Sequence, residues 1–259
     1  MATETSSDGT VGKALDVLDL VASFDRPVRF NEVLARSPFP KATLYRFVQT
    51  LTKTGMLAYD PDRHTYAPGL RLVRLAHTAW RQASLAPIAR PYVEEISAQV
   101  GETIHVAQME GGQVLFVDKV KAVDMFETMA RVGKVAPGYC TGVGKAILAF
   151  LPCGERDRAL KQQAYMRYTP STHADRESLE AELADIRKQG IAYDREEHER
   201  SIISIAAPIL TDSGSVIGSL SIATSTSRHS LESLEQFRPQ LLATAEKIGT
   251  AAAVWQFPH

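Results

Sequence analysis

The stretch that decides the fold is residues 29–66, RFNEVLARSPFPKATLYRFVQTLTKTGMLAYDPDRHTY. Apolar residues at helical spacing predict a short helix at its start and a second helix over 41–53. Between them, SPFP at 37–40 ends the first helix, because proline cannot donate to a helical ladder. Two short strand-like runs follow, separated by the turn-rich DPDRH at 60–64. Helix, tight turn, helix and hairpin is the plan of a winged helix-turn-helix.

The second helix of this stretch has a polar face opposite its apolar stripe. Residues 26–53 carry six positive charges and one negative charge, on a chain whose net charge is −1. Cationic and amide side chains on an exposed helix are the groups that contact DNA phosphates and base edges. The sequence therefore predicts a DNA-binding face made of Arg29, Lys41, Thr43, Tyr45, Arg46, Gln49 and Arg63.

Length and composition indicate a globular protein of two domains. The chain has 259 residues, of which 44% are hydrophobic and 23% charged. No run approaches the roughly 20 apolar residues that span a bilayer, and the polar start MATETSSDGT does not resemble an export signal. Two cysteines at unrelated positions make neither a disulfide framework nor a structural zinc motif. We expect a cytoplasmic protein with no membrane partner, no metal and no cofactor.

The chain divides by pattern into four segments. Residues 1–10 are polar without periodicity and are expected to be disordered, and a winged helix-turn-helix domain follows over 11–69. A helix over 70–86 links it to the rest of the chain. Because 71–86 contain neither glycine nor proline, this helix is either a stiff connector between DNA-binding heads or a simple domain-packing helix.

Residues 87–259 have a mixed pattern that predicts an α+β domain. Alternating or β-branched runs predict strands at 103–109, 113–120, 126–131, 191–195, 202–210 and 216–223. Helical spacing predicts helices at 88–100, 141–151, 155–163 and 178–189, and a long closing helix over 231–255. Hairpin turns between neighbouring strands favour a mainly antiparallel sheet, which we expect to carry its helices on one side.

Several motifs together resemble the IclR family of bacterial transcriptional regulators. They are KATLYRFVQTLTKTGMLAYDPDRHTYAPG at 41–69, TGVGKAILAFLP at 141–152, GIAYDREEHERSIISIAAPIL at 190–210 and VIGSLSIA at 216–223. The resemblance covers residues 11–255. It implies a GAF-like effector domain and a homodimer or homotetramer. It also implies that a small-molecule effector bound to this domain modulates operator binding, most commonly by relieving repression. A single winged helix reads only a short half-site, so we also expect a palindromic operator.

The resemblance also places the effector site over the sheet of the C-terminal domain. The family's pocket positions fall on Met125, Gly142, Val143, Asp194, Ser204, Ser221 and Ala223. A helix beginning at 141–144 would offer unpaired N–H groups to a carboxylate or a carbonyl, and Gly142 and Gly144 would let a ligand approach its backbone. Two positions depart from the family. Ser201 stands where glycine is common, and Ser204 stands where cysteine is common.

Some residues near the predicted pocket are also compatible with an enzyme. Cys140 before a helix start predicts a favoured thiolate, so that an enzyme built from Cys140, His105 and Asp194 can be imagined. His105 itself either reaches the pocket or makes a core hydrogen bond, and the core is favoured. Asp194 and Ser204 are either pocket residues or satisfied strand-edge groups.

Two sequence features look catalytic but lack the required geometry. Glu196 and Glu197, as neighbours on a strand, would point to opposite faces and could not share a substrate. TGVGK lacks the spacing of a phosphate-binding loop. The main prediction is a ligand-responsive regulator, and the alternative is a ligand-binding protein or hydrolase-like enzyme with an incidental helix-turn-helix.

Overall fold

The computed structural model describes residues 9–121 and 128–254, which fall into two compact units that divide between Arg81 and Gln82. The first unit contains α1 (Gly9–Ala22), β1 (Val28–Arg29), α2 (Phe30–Arg36), α3 (Lys41–Lys53), β2 (Leu57–Asp60), β3 (Thr65–Pro68) and most of α4 (Leu70–Ala83). The three strands form an antiparallel sheet in the order β1-β3-β2. This is the predicted winged helix-turn-helix.

A single apolar core holds the first unit together. Leu44, Phe47, Val48 and Leu51 of α3 are buried against α1 and the wing, as their helical spacing predicts. Helix α2 begins with a capping box, in which the Glu32 carboxylate accepts from the Arg29 backbone N–H. Because the stripe of α3 is fully used in this core, its remaining side chains face outward.

The second unit is built on one six-stranded sheet in the order β6-β5-β4-β9-β8-β7, and every pairing is antiparallel. Its strands are β4 (Thr103–Glu110), β5 (Gln113–Val120), β6 (Val135–Pro137), β7 (Ala192–Arg195), β8 (Ile202–Leu210) and β9 (Val216–Ser225). Its helices are α5 (Ala86–Val100), α6 (Gly142–Phe150), α7 (Cys153–Lys161), α8 (Arg176–Gln189), α9 (Leu231–Leu234) and α10 (Arg238–Ala251). The predicted α+β class is confirmed.

Helices cover both faces of this sheet, so the expectation that they lie on one side was wrong. One core joins α5 and α10 to a face made of large β-branched and leucine side chains, such as Ile104, Ile205 and Ile222. The other joins α6, α7 and α8 to the opposite face. Along β4, β8 and β9 that second face carries small or polar residues, because successive side chains alternate between faces. It carries the predicted pocket residues.

Several element boundaries differ from the sequence-based expectation. Helix α1 begins at Gly9, so Gly9 and Thr10 are helical and not disordered. The linker helix ends at Ala83, and α5 starts at Ala86. The strand expected over 126–131 lies partly outside the described residues, and its described part, 128–131, is not a strand.

The predicted closing helix over 231–255 is interrupted. A short 3-10 turn, Glu235–Phe237, separates α9 from α10. Pro239 in the first turn of α10 explains the break, because its missing N–H cannot continue the preceding helix. Within the described ranges, no helix combines the length and the apolar character that a membrane crossing requires.

Candidate functional site

The outward face of α3 carries the predicted DNA-contacting groups. Lys41, Tyr45, Arg46 and Gln49 are exposed, and Thr43 is half-buried. The Tyr45 ring packs edge-on against Phe30 of α2 at 5.8 Å between centroids, which limits its freedom. Lys41 and Arg46 make no ion pair with another residue in the described part of the chain. Their charges therefore remain available to an anionic partner.

Part of the local positive charge is already neutralised. Arg26 donates to the Glu32 carboxylate at 2.6 Å, and this contact together with the Arg29 N–H lowers the pKa of Glu32 to about 2. The guanidinium of Arg36 lies over the Phe24 ring, 4.3 Å from its centroid. Arg36 stays charged and exposed, and together with Arg29 and the cations near the start of α3 it leaves this surface basic.

The wing tip has a defined conformation. The Asp60 carboxylate accepts from the backbone N–H groups of Asp62 and Arg63, which closes the turn. The Tyr59 hydroxyl and His64 Nδ1 lie 2.8 Å apart and support the left-handed backbone of His64. The Arg63 side chain is 80% exposed at this tip. A rigid turn thus presents one long cationic side chain to solvent.

One cavity in the second unit collects most of the predicted effector residues. Gly142, Val143, Asp194, Ser204, Ser221 and Ala223 all line it, and Met125 lies outside the described residues. The cavity has a volume of about 40 Å³. Its further walls include Thr141, which belongs to the predicted helix start, and His105, for which the core was favoured. Phe116, Thr128, His198 and Glu199 also line it and were not assigned to a pocket from the sequence. That the six predicted effector residues contact a ligand stays a prediction.

The start of α6 leaves two donors at the cavity. The Thr141 hydroxyl caps the helix by accepting from the Gly144 N–H at 3.2 Å. In the described residues, the N–H groups of Gly142 and Val143 have no acceptor, and both residues are buried. Unpaired N–H groups at a helix N-terminus attract an anion or a polarised carbonyl.

The two glycines of this turn serve different purposes. A Cβ on Gly142 would stand 2.7 Å from the Ser204 Oγ, inside the cavity wall. A Cβ on Gly144 would stand 2.3 Å from the Gly138 carbonyl oxygen. Gly144 therefore allows the backbone at 138 to pack closely, and the expectation that it keeps a path open for ligand was wrong.

Asp194 is the one predicted pocket residue with a carboxyl group. Its Oδ1 accepts from the Glu197 backbone N–H at 2.8 Å, and the residue is buried. Burial and the nearby Glu197 carboxylate together raise the pKa of Asp194 to about 7, against a smaller opposing effect of Lys145. The cavity thus holds an acid that titrates near neutral pH.

Two family models match the chain. The IclR helix-turn-helix domain matches residues 10–61, and the bacterial transcriptional regulator IclR C-terminal domain matches residues 77–250. The chain belongs to the IclR family of bacterial transcriptional regulators. It is thus a DNA-binding regulator and not an enzyme, and the main prediction from the sequence is confirmed.

Relatives in the IclR family cover nearly the whole chain. XynR of Escherichia coli strain K12 is 30% identical over 247 residues, which are 94% of this chain and 98% of that protein. KdgR of the same organism is 29% identical and spans 98% and 97% of the two chains. The Thermotoga maritima IclR structure has a TM-score of 0.74 at 28% identity and covers 94% of this chain and 98% of its own.

A buried ion-pair network backs the cavity of this IclR-family chain. The ammonium of Lys145 is fully buried and contacts the carboxylates of Glu197 at 2.5 Å and Glu182 at 3.0 Å. Arg195 reaches Glu182 at 2.7 Å, and the His173 Nε2 lies 2.6 Å from the same carboxylate. Lys145 is therefore a structural cation, which explains why TGVGK is no phosphate-binding loop.

The network also contains acidic residues for which the sequence suggested other roles. Glu196 and Glu197 lie after the end of β7, in a turn where Glu196 has a left-handed backbone, so they are not strand neighbours. Glu197 faces Lys145 and not a substrate. One ligand atom each of His173, Glu182 and Glu197 lies within 4.8 Å of the others, but the Lys145 ammonium already bonds both carboxylates.

Cys140 is not the activated thiol that its position suggested. It is fully buried in the core between the sheet and α6. Burial, assisted by the charges of Asp194 and Glu197, raises the pKa of the Cys140 thiol well above its usual range. The expectation of a favoured thiolate was wrong, because desolvation outweighs the attraction of the helix N-terminus.

Proposed function

We propose that this IclR-family regulator senses a small carboxylate or carbonyl metabolite in the cavity of its second unit. The observation that carries the proposal is a set of buried polar groups that line one space without partners. In the described part of the chain, neither the Ser204 nor the Ser221 hydroxyl makes a hydrogen bond, and the N–H groups of Gly142 and Val143 are equally free. Buried polar groups normally have partners, and a polar ligand can supply them here.

The donor set favours an acid or carbonyl compound. The N–H groups at the α6 start attract negative charge, and the two hydroxyls can donate as well as accept. Asp194 in its protonated form supplies a further donor. A solved relative from Microbacterium hydrocarbonoxydans, 24% identical, was crystallised with 4-hydroxybenzoate, which is itself a carboxylate.

The cavity must widen to take such a ligand. Its volume of about 40 Å³ has room for a few water molecules. Small-molecule sites usually measure about 300–1,000 Å³. Part of the wall is held by single polar contacts, among them the Met129 N–H, which donates to the Glu199 carboxylate at 2.9 Å. Breaking that contact would separate the segment at 128–130 from the loop after β7.

The linker helix α4 is the proposed transmitter to the DNA-binding face. Within the first unit, the Arg71 guanidinium donates to the Thr54 carbonyl at the end of α3, at 2.9 Å. The Gly69 N–H donates to the Met56 carbonyl at 2.8 Å. A displacement of the first turn of α4 therefore moves the end of α3. A ligand changes operator affinity only if it prefers one arrangement of these elements.

On the DNA side, we propose that Arg29, Lys41, Thr43, Tyr45, Arg46 and Gln49 contact the operator in the major groove and that Arg63 contacts the backbone beside it. A single winged helix reads a short site, so we expect a palindromic operator bound by a homodimer or a dimer of dimers. Repression relieved by ligand is the proposed mode of control.

The test is a gel shift on the protein's own upstream DNA, with and without a pool of small carboxylates. Gly142→Ala places a methyl group against Ser204 in the cavity wall. We expect operator binding to stay within about twofold of wild type while the ligand concentration for half response rises at least about tenfold.

The matched control is Gly154→Ala. A Cβ on Gly154, the second residue of α7, meets no atom within 4 Å, so this variant should respond like wild type. A Gly142→Ala protein that responds normally to ligand would place the effector site elsewhere.

A further inference from the structure

The polar groups of the cavity form two clusters on the same face of the sheet, one near β7 and the other near β4. The first contains the α6 N–H groups, Asp194 on β7 and Ser204 on β8, its cross-strand partner. The second contains His105 on β4 and Thr128, which follows β5. Strands β8 and β9 lie between β7 and β4, so three inter-strand steps, about 14 Å, separate the two backbones.

His105 has the properties of a ligand-contacting group. The residue is only 3% exposed and lines the cavity. Burial and the positive charge of Lys119 lower the pKa of His105 to about 3, so the ring is neutral near pH 7. A neutral imidazole has one donor and one acceptor nitrogen, and both need partners when buried.

The contacts of His105 leave one of these two nitrogens without a hydrogen-bond partner in the described residues. Nε2 lies 3.4 Å from the Thr128 hydroxyl oxygen, a long contact. That hydroxyl already accepts from the Lys119 ammonium at 2.9 Å. Nδ1 has no hydrogen-bond partner among the residues that the structure describes. The edge of the ring packs on Phe116 at 5.4 Å between centroids, which fixes its plane without satisfying the nitrogen.

The cavity also has apolar walls. Phe116, Val143, Ile202 and Ala223 contribute apolar surface to it, and Ser221 lies directly opposite His105 on the neighbouring strand β9. A monofunctional acid bound at the α6 start would leave the His105 end unpaired. A ligand with a second oxygen at its far end would satisfy both.

We propose that the effector is a bifunctional acid whose carboxylate or carbonyl binds at the start of α6 and whose distal hydroxyl or carbonyl oxygen hydrogen-bonds His105. This rests on the proposed effector role of the cavity and names His105 as its specificity-determining residue. Hydroxy and oxo acids with a carbon chain or ring between their two polar ends fit this description.

The experiment compares matched pairs of carboxylates by calorimetry and thermal shift. Hexanoate is paired with its ω-hydroxy derivative, and phenylacetate with its para-hydroxy derivative. In wild type we expect the hydroxylated member of at least one pair to bind about tenfold more tightly, since a site built for a hydrogen bond rejects the analogue that lacks it.

Two variants locate that preference. His105→Leu should bring the two members of the pair within about twofold of each other, and His105→Gln, whose amide can donate and accept, should restore part of the difference. The exposed His77 of α4 provides the control His77→Leu, which should keep the full preference. Circular dichroism checks that each variant is folded, and Gln is the informative variant if Leu unfolds the protein.

The outcomes separate this inference from the proposed function. If the acids bind wild type without preference for the hydroxylated member, the role of His105 is overturned. The same holds if the preference survives in both His105 variants. In either case the proposed effector role of the cavity still stands. If no carboxylate of either kind binds or alters operator binding, the proposed effector role falls as well, and this inference with it.

Discussion

At the scale of single residues, Ser201 has a strained backbone conformation that a glycine would relieve. Its backbone has φ +63°, a left-handed conformation that costs a non-glycine residue about 1–2 kcal/mol. The family resemblance suggested glycine at this position. We predict that Ser201→Gly stabilises the fold by about 0.5–1 kcal/mol, because part of the gain is lost to the greater freedom of glycine in the unfolded chain.

Chemical denaturation measures this change, and Ser201→Ala is the control. Alanine removes the hydroxyl and keeps the Cβ, so it should not stabilise. The Ser201 N–H, which donates to the Glu196 carboxylate at 2.7 Å, is present in both variants. Equal stability of the two variants would mean that the left-handed backbone is not the source of strain.

Asp194 should make stability depend on pH. Its pKa of about 7 lies above that of an unfolded aspartate, so between pH 4 and 7 the folded state binds more protons than the unfolded state. The free energy of unfolding contributed by this group therefore falls as pH rises through that window. Asp194→Asn keeps an oxygen that can accept from the Glu197 N–H but does not titrate.

We expect the melting temperature of wild type to fall relative to that of Asp194→Asn as pH rises from 5 to 8. Thermal scans of both proteins in one buffer series provide the measurement. Because the other titrating groups are shared, the difference between the two curves reports Asp194. Parallel curves would show that this carboxyl group titrates far from neutral pH.

At the scale of elements, the sequence predicted those that depend on local pattern. Helix α3 and strand β8 have the predicted bounds, because a regular apolar period and flanking breakers define them. The two-residue β1 was missed, since it exists only through its pairing with β3. The break before α10 was missed because a proline is tolerated in the first turn of a helix, and the sequence pattern does not show that a new helix begins at Arg238.

The cavity was predictable as far as strand alternation and family resemblance reach. Asp194, Ser204 and Ala223 occupy one cross-strand row, and such rows follow from register. His105 was assigned to the core because a lone histidine in a strand gives no indication of what covers its face. The α6 start and Thr128 decide that, and both come from other parts of the chain.

At the scale of the whole molecule, the first unit leaves apolar surface uncovered. An open groove of about 570 Å³ runs between α1, α3 and α4. Val11 and Leu15 on α1 and Leu70, Val73 and Leu75 on α4 are each at least 46% exposed. In the described structure no residue of α4 is buried. Exposed apolar surface of this kind marks an interaction site, and we propose that the same surface of a second copy covers it in a two-fold dimer.

We predict that the double substitution Leu15→Glu, Leu75→Glu separates the copies at this groove. Buried carboxylates without partners cannot be accommodated in an apolar interface. By light scattering, we expect wild type to have a mass of at least twice the 28.4 kDa of one chain. The variant should have a lower mass than wild type. Operator affinity should fall at least about tenfold, because two linked heads gain affinity that one head lacks.

The control for this variant is Val132→Glu, Val135→Glu, which places the same charges on exposed residues of the second unit. It should retain operator affinity. If dimers pair through the first units and then associate through the second, the Leu15, Leu75 variant still assembles in pairs but binds a palindrome no better than a half-site. An unchanged mass together with unchanged operator affinity would mean that the groove between α1, α3 and α4 is not where two copies meet.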